Sequence, residues 1–447
     1  MSSTTQEKGT AGLLERVFQL RARGSDVRTE LIGGVTMLLA GVYAVAVIPG
    51  FLVQAGLPAG PATTAVILVI AVATIAMGIY GNMPFVVAPG LGGAALVAIT
   101  LTGDGGVPWP TALGMVFWSG IIFLLLTLFG IRELLTRIIP NDIKIAITAG
   151  IGMFIALLGF RNSGLVQAAP NGQSLTVGAL DSAGGLLALA GLVLITALTF
   201  RKIKGAFIIT IAVITLAGIP LGVTQLPENW FSLPALSTEV SFQIDLWGSL
   251  QPQYLPFVLT LFFAEFFSMT GAFLAVAKLT GLTDKDGNIV NARRPFIADS
   301  SAVIGGAWMG VPSMNAYVET GAAGAESGAR TGLSSVFAGL GFALLLLFTP
   351  IAGMVPGAAT APVLMFIGLS LVAQLKEVNF SDVTVGIPAM LVVACTVFWG
   401  NFGTGIASGL VGFVLIKVAA GRWRDVHIGM YILLIPLGYF FWALVQR

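Results

Sequence analysis

Cysteine and histidine are almost absent from this chain of 447 residues, which contains only Cys395 and His427. A single cysteine excludes a disulfide bond within the chain and a metal cluster held by several thiolates. A single histidine excludes a histidine-rich metal site, a haem held by two imidazoles and a proton relay built from imidazoles. We therefore expect neither a metal ion nor a cofactor.

Charged residues are also scarce. They make up 9% of the chain, against about 25% in an ordinary soluble protein, and the net charge is only +2. Hydrophobic residues account for 56% and the mean hydropathy is +0.95. This balance predicts a multi-pass protein of the lipid bilayer and excludes extensive disorder. Nucleic-acid binding is excluded as well, because the chain offers no basic face.

Glycine is abundant instead, with 57 residues, which is about twice its ordinary share. Small residues let transmembrane helices approach one another closely, and glycine is tolerated there because neighbouring groups satisfy the backbone. Such a content is typical of chains that interrupt helices inside the membrane or slide them past one another.

Apolar runs follow a polar, basic N-terminal segment at 1–29, which we expect to be cytoplasmic. With that orientation, 20 of the 22 basic residues fall on the cytoplasmic side and only Arg161 and Arg447 fall outside, as the positive-inside rule requires. The stretch 223–251 contains no Lys or Arg and is predicted to be an external loop. We expect the protein to reside in the plasma (inner) membrane. The runs are 30–52, 61–79, 84–103, 111–129, 143–160, 184–200, 205–222, 252–277, 296–310, 312–325, 332–350, 357–375, 383–399, 403–419 and 426–445.

The runs form two groups of seven with a shared internal pattern. Residues 78–92 read GIYGNMPFVVAPGLG and residues 310–324 read GVPSMNAYVETGAAG. Each has a proline, a short extended stretch and a glycine-rich restart, and each is third in its group. Because an odd number of spans inverts the second group relative to the first, the pattern predicts inverted repeats, as in secondary transporters. The segments Pro84–Val87 and Ser313–Ala316 are predicted to be extended and to face each other.

This pattern divides the chain into predicted units. The first seven-span repeat covers 30–222 and the second covers 252–425. The run within 426–447 is left over as an additional C-terminal apolar helix.

Two acidic residues lie deep in apolar runs, Glu265 and Glu319. Because burying a carboxylate in a membrane is expensive, such residues usually line a cavity or exchange a proton. The alternative is a neutral carboxyl group satisfied by a neighbouring helix. Glu319 is the stronger candidate, since it opens a half-helix whose free N–H groups and dipole create a polar site.

Other candidates lie near these two acids. Ser268 shares a helix face with Glu265 and could bind a ligand, or bond back to its own helix. An aromatic ring could stack on a planar ligand, although most membrane aromatics only pack. The nearby aromatic residues are Tyr43, Phe85, Phe266, Phe267 and Tyr317. The chain has no phosphate-binding G-x-x-x-x-G-K-[ST] loop and no visible nucleophile–base pair, so we expect neither an ATP-driven pump nor an enzyme.

Several stretches resemble a known family of transporters. The most specific are IPNDIKIAITAGIG at 139–152 and YVETGAAGAESGARTGL at 317–333, and the resemblance extends from about 26 to 425. The chain resembles the nucleobase–cation symporter-2 superfamily, and within it the azaguanine-like purine permeases.

The resemblance implies an all-α fold of two inverted seven-span repeats. Spans 1–4 and 8–11 would form a core domain, and spans 5–7 and 12–14 a gate domain. Spans 3 and 10 would each be a short strand followed by a half-helix, with the substrate between them. Family members often dimerise through the gate domain, so a homodimer is implied by analogy.

The resemblance also implies site residues. Family members bind substrate through carboxylates on spans 8 and 10, and Glu319 matches the span-10 acid. Ser268 occupies the usual span-8 acidic position, and Glu265 lies one turn earlier. Gly92, Ala94, Phe85 and Tyr317 complete the predicted substrate site. The chain also departs from the family pattern, because Ile48 and Ala94 stand where purine permeases have asparagine.

The leading hypothesis is a secondary permease that imports a purine or purine-like planar heterocycle together with protons, Glu265 carrying the proton. A second hypothesis is a permease of the same fold for a non-purine amide- or guanidine-type solute, suggested by the lost polar positions. A third, of another class, is a passive channel or a non-transporting membrane scaffold.

Overall fold

The computed structural model describes residues 12, 14–130, 138–168, 175–203, 205–235, 237–283, 289–399 and 402–445. Within these residues, eight helical segments have the length and composition to cross a membrane. They are Val27–Gln54, Ala59–Gly81, Trp109–Leu128, Asn141–Asn162, Ala183–Phe200, Leu255–Thr280, Leu333–Gly353 and Gly357–Glu377. Five shorter apolar helices accompany them, so the prediction of a multi-pass membrane protein is confirmed.

The secondary structure follows the predicted runs closely. In chain order the helices are α1 (Val27–Gly41), α2 (Tyr43–Gln54), α3 (Ala59–Ala76), α4 (Leu91–Ala95), α5 (Trp109–Leu128), α6 (Asn141–Asn162), α7 (Ala183–Phe200), α8 (Ala206–Gly218), α9 (Leu255–Thr280), α10 (Arg293–Trp308), α11 (Val318–Glu326), α12 (Leu333–Leu345), α13 (Thr349–Gly353), α14 (Gly357–Val372), α15 (Val383–Phe398), α16 (Phe402–Ala419) and α17 (Ile428–Val445). The strands are β1 (Val87–Pro89), β2 (Val166–Ala168), β3 (Leu175–Val177) and β4 (Met314–Ala316). Wide π-helical turns extend α3 over Met77–Gly81 and α4 over Leu96–Asp104.

Spans 3 and 10 are broken as predicted. Strand β1 pairs antiparallel with β4, with Ala88 opposite Asn315. Helices α4 and α11 start directly after these strands, so the two half-helices begin on either side of one short ladder. The first strand lies at Val87–Pro89 rather than at the predicted Pro84–Val87, because β4 determines which residues can form ladder bonds.

The helices sort into two groups, which confirms the predicted core and gate domains. Helices α1, α3 and α12 pack together with α5, α9 and α10 in the core, whereas α6, α7, α14, α15 and α16 pack together in the gate. Glycine permits a close crossing of two gate helices. A Cβ on Gly152 of α6 would lie 2.6 Å from the carbonyl oxygen of Gly368 on α14, and one on Gly368 would lie 2.4 Å from that of Gly152.

A buried acid joins the start of the core domain to its end. Glu30 of α1 is fully buried, and its carboxylate accepts hydrogen bonds from the backbone N–H groups of Arg330 (2.9 Å), Thr331 (3.1 Å) and Ser334 (3.2 Å). Arg330 and Thr331 lie in the turn before α12 and Ser334 lies in its first turn, where N–H groups have no partner inside the helix. Glu30 is therefore a structural residue that ties span 1 to span 11.

The C-terminal helix α17 lies outside the two groups of seven spans. It packs against α16 and α9, and the hydroxyl of Tyr439 donates to the carbonyl oxygen of Pro252 at 2.6 Å. The division into 1–29, 30–222, 223–251, 252–425 and 426–447 stays a prediction.

Candidate functional site

A cavity of about 120 Å³ lies where the core meets the gate. The core contributes the β1–β4 ladder, the first turns of α4 and α11, and the middle of α9. Among the described residues, the gate contributes aliphatic side chains to this cavity. They are Ile151 and Ile155 on α6, and Ile367 and Leu371 on α14. Since about 30 Å³ corresponds to one water molecule, the cavity holds about four waters or one small heterocycle.

Glu319 lies in the first turn of α11 and lines this cavity. The hydroxyl of Tyr43 donates a hydrogen bond to its Oε1 at 2.5 Å, which fixes the carboxylate and leaves the second oxygen for a ligand donor. The position at a helix N-terminus suits a negative charge, because the backbone dipole and the free N–H groups point towards it.

Two tyrosines from different spans form one wall. The rings of Tyr43 and Tyr317 stack with their centroids 5.7 Å apart and their planes 23° apart. The hydroxyl of Tyr317 donates to the carbonyl oxygen of Pro89 at 2.6 Å, so the broken spans hold this ring in place. The pair presents a rigid aromatic surface beside the Glu319 carboxylate.

Glu265 lies in α9, is only 3% exposed and also lines the cavity. Its Oε2 accepts a hydrogen bond from the hydroxyl of Ser119 at 3.4 Å. The carboxyl group of Asp299 on α10 is buried close enough to interact electrostatically with it. Among the described residues, Glu265 Oε1 lacks a well-formed hydrogen bond. A buried polar atom without a partner that borders a cavity indicates a site for a ligand or an ion.

Ser268 and Asn315 form a second polar group at the same cavity. With the amide oriented to satisfy this contact, Asn315 Nδ2 donates to the Ser268 hydroxyl at 2.7 Å. Asn315 Oδ1 is buried and, within the described part of the chain, has no hydrogen-bond partner. Both residues line the cavity, so this pair adds a hydroxyl and an amide group to its polar side.

The backbone is strained at the entry to β4. Ser313 has φ = 54°, in the left-handed region that ordinary side chains rarely adopt. Its carbonyl oxygen accepts from the N–H of Gly90 at 2.6 Å, and a Cβ on Gly93 would lie only 1.9 Å from its hydroxyl oxygen. Strained backbone of this kind accumulates at ligand sites. Helix α4 thus approaches the residue that precedes β4 at a point that only glycine permits.

We expect Gly93→Ala to weaken folding by about 1–3 kcal/mol, the usual range for overpacking a tight core, and to weaken ligand binding. The added methyl group would also lie 2.7 Å from Ser313 Cβ. Helix α4 and the start of β4 therefore have to move apart. Thermal unfolding and ligand titration of the purified variant measure both effects.

A second substitution distinguishes this contact from a general effect. Ser313→Gly removes the opposing side chain and suits the positive φ. It should therefore restore the stability and the ligand binding of the Gly93→Ala variant. Gly60→Ala is the matched control, since a Cβ there meets no atom within 4 Å. An unchanged Gly93→Ala variant would refute the close approach.

The structure brings together most of the predicted site residues. Glu319, Glu265, Ser268, Tyr317 and Gly92 all line the cavity. Their role in binding stays a prediction.

Two predicted site residues lie outside the cavity lining. Phe85 is fully buried and packs on Phe273, with ring centroids 4.9 Å apart, and Ala94 is fully buried and absent from the lining. Phe266 is also buried, against Phe123 at 6.0 Å, and the side chain of Phe267 lies outside the described part. We omit these side chains from the proposed site.

Sequence reasoning missed several residues of the cavity. The sequence pattern places Asn315 and Ser313 only in an extended segment, although a polar residue in a broken span is a recognisable signal. Ser119, which contacts Glu265 but does not line the cavity, lies in an unremarkable apolar run. No group of three His, Cys, Asp or Glu residues that could hold a metal ion occurs in the part of the chain that the structure describes.

Inverted repeats, two broken spans and a polar cavity between two domains define the class as a secondary transporter of the membrane. A permease-family sequence model matches residues 28–417. The chain therefore belongs to this permease family, the nucleobase–cation symporter-2 family that its motifs predicted, and is a transporter rather than an enzyme.

Relatives match the chain over nearly its full length. It is 34% identical to the adenine permease AdeQ of Escherichia coli K12, over 95% of this chain and 95% of that protein. It is 32% identical to the guanine/hypoxanthine permease PbuO of Bacillus subtilis 168, over 92% of this chain and 96% of that protein.

Solved structures support the fold. The transmembrane domain of the cyanobacterial bicarbonate transporter BicA superposes with a TM-score of 0.63 at 17% identity, over 87% of this chain and 96% of that one. SLC26A9 superposes with a TM-score of 0.61 at 13% identity, over 94% of this chain and 70% of that one. At such identities the likeness concerns the fold alone, and it confirms the two inverted repeats.

Proposed function

We propose that the protein imports a purine nucleobase by symport with protons. The observation that carries this proposal is the cavity at the core–gate boundary, where two carboxyl groups, an amide oxygen and a fixed tyrosine pair converge. Relatives named as adenine and guanine/hypoxanthine permeases support a purine as the substrate.

The polar groups of the cavity are mainly acceptors. Glu319, Glu265 and Asn315 Oδ1 can each accept a hydrogen bond, and a purine presents several N–H donors along its edges. We propose that Glu319 accepts from the ring edge while Ser268 and Asn315 bind the opposite side. Gly92, without a side chain, leaves room for the flat ring beside the start of α4.

The distribution of polar groups also suggests how transport works. The core supplies the polar groups of the cavity, while the gate supplies an aliphatic wall. Substrate bound to the core can therefore slide past the gate without breaking hydrogen bonds to it. Movement of one domain against the other around a fixed site is the general form of alternating access.

Proton coupling is assigned to Glu265. It is buried, lies near a second buried carboxyl group in Asp299 and still borders the cavity. Two adjacent buried carboxyl groups repel when both are charged, so the pair is suited to hold one proton between them. A proton there would leave with the substrate when the cavity opens to the other side.

The non-purine alternative is weakened by the position of the lost polar residues. Ile48 and Ala94, which replace asparagines of purine permeases, both lie outside the cavity lining. Ser268, at the usual acidic position, is paired with the amide of Asn315. These positions therefore give no reason to expect an amide or guanidine solute in place of a purine.

A ligand panel tests the proposal. The purified protein is heated with adenine, guanine, hypoxanthine, xanthine, uracil, urea or guanidinium at matched concentrations. Specific binding should raise the free energy of unfolding by about 2.7 kcal/mol at 100 times Kd. We expect stabilisation by purines, and stabilisation by urea or guanidinium alone would support the alternative.

Transport itself is measured in proteoliposomes. A purine should accumulate against its own gradient when a proton gradient points inwards, and collapsing that gradient should stop accumulation. Equilibration without accumulation under any gradient would instead identify a passive channel, and no flux at all would identify a non-transporting scaffold.

Orientation and assembly belong to the same proposal. We place the N-terminus in the cytoplasm of a cell bounded by the plasma membrane, on the basis of the basic residues. A homodimer through the gate domain is proposed by family analogy.

A further inference from the structure

A second cavity lies on the outer surface of the core domain, between α3 and α10. Its volume is about 320 Å³, larger than that of the proposed substrate cavity. Small residues form its floor, among them Ala73 on α3 and Ala302 and Gly306 on α10. Val72 at its rim is 59% exposed, so the groove opens towards the surrounding lipid. A contiguous exposed apolar groove of this kind indicates a binding site.

The length of the groove matches one leaflet of a bilayer. Along α10 its lining runs from Ala298 to Met309, which is about 16 Å at about 1.5 Å per residue. The hydrocarbon core of a bilayer is about 30 Å thick, so one leaflet contributes about half of that. An acyl chain lying along α10 would fill the groove from end to end.

The two ends of the groove differ in charge. Arg294 is exposed and precedes Ala298 by one helical turn, so it lies on the groove side of α10. Tyr80 follows Ala76 at the same end and is 46% exposed. Arginine and tyrosine at one end of an apolar groove are typical of the membrane interface, where they meet lipid headgroups. The opposite end, at Met309, is apolar.

We propose that this groove binds an anionic phospholipid, with one acyl chain between α3 and α10 and the phosphate group against Arg294. Three observations support the lipid: the apolar lining, the leaflet-sized length and the single basic end. The site is separate from the substrate cavity, because none of its lining residues belongs to that cavity. Lipid bound there would contact α10, the helix that carries Asp299.

Native mass spectrometry of the full-length purified protein tests the proposal. The protein in a non-ionic detergent is titrated with phosphatidylglycerol or with phosphatidylcholine of the same acyl chains. Each basic residue near an anionic headgroup contributes about 1 kcal/mol, so phosphatidylglycerol should bind about fivefold more tightly. Arg294→Gln should reduce its affinity to that of phosphatidylcholine. Arg201→Gln is the charge-matched control, because Arg201 is an exposed arginine at the end of α7 in the gate domain.

A second variant tests the groove itself. A Cβ on Gly305, which lines the groove, meets no atom within 4 Å, so the side chain of Gly305→Leu starts in open space and extends into the groove. This variant should weaken the binding of both lipids by a similar factor. Gly438→Leu on α17 is its control, because a Cβ there also meets no atom within 4 Å.

Three results would overturn the proposal. Equal affinity for both lipids, unchanged by Arg294→Gln, would show that the phosphate group does not contact Arg294. Lipid binding unaffected by Gly305→Leu would place the lipid elsewhere. A dimer in the mass spectrum that only Gly305→Leu dissociates would show that a second copy of the chain occupies the groove.

Discussion

Replacing Glu319 by Gln is expected to weaken purine binding about 10- to 150-fold while the protein remains folded. Gln keeps the size of the side chain but loses the charge and one acceptor. Hydrogen bonds to charged groups contribute about 1.5–3 kcal/mol, and about 1.4 kcal/mol corresponds to a factor of ten in affinity. Tyr43 can still donate to the amide oxygen of the variant, so the wall of the cavity should persist. Ligand titration of the purified variant measures the loss.

The control for this substitution lies on the same helix. Glu326 ends α11 and is exposed, so Glu326→Gln removes an identical charge without touching the cavity. It should bind purine like the unmodified protein. If Glu319→Gln binds purine normally and Glu326→Gln does as well, the ligand does not contact α11, and the cavity at the core–gate boundary is not the purine site.

The broken spans were predictable because their cause is local. Proline removes a backbone donor and glycine permits a restart, and both residues are visible in the segments around Pro84 and Ser313. The position of β1 was less predictable. The ladder bonds of Val87–Pro89 depend on Met314–Ala316, more than 200 residues away, and no local pattern specifies that register.

The acidic residues also differ in whether a local sequence pattern or a distant contact explains their position. Glu265 and Glu319 stand out in the sequence because apolar residues surround them. Glu30 stands at the edge of an apolar run and looks like an interfacial residue, yet it is fully buried. Its partners are backbone N–H groups at the start of α12, which sequence reasoning about α1 cannot reveal.

Side-chain direction explains why two predicted contacts lie outside the cavity. Phe85 is close in sequence to the cavity, but its ring points towards Phe273. Ala94 follows the lining residues of α4 in sequence, but it is fully buried and is not part of the lining. A family resemblance indicates which sequence positions correspond to site residues. The fold determines which of those side chains face the cavity.

Replacing Glu265 by Gln is expected to separate binding from proton coupling. The amide can still accept the hydrogen bond from Ser119 and border the cavity, but it cannot take up or release a proton. Purine binding should therefore change by less than about threefold, which corresponds to less than about 0.7 kcal/mol. Accumulation driven by a proton gradient should fail completely, while exchange of labelled for unlabelled purine across the membrane continues.

The measurement uses one proteoliposome preparation for three variants. Unmodified protein should show both accumulation and exchange, Glu319→Gln should show neither at low substrate concentration, and Glu265→Gln should show exchange alone. If Glu265→Gln loses binding as severely as Glu319→Gln, then Glu265 contacts the substrate directly and replaces the acid that is missing at Ser268. If it still accumulates purine with the proton gradient, the coupling proton is carried by another group, and the role assigned to the Glu265–Asp299 pair is wrong.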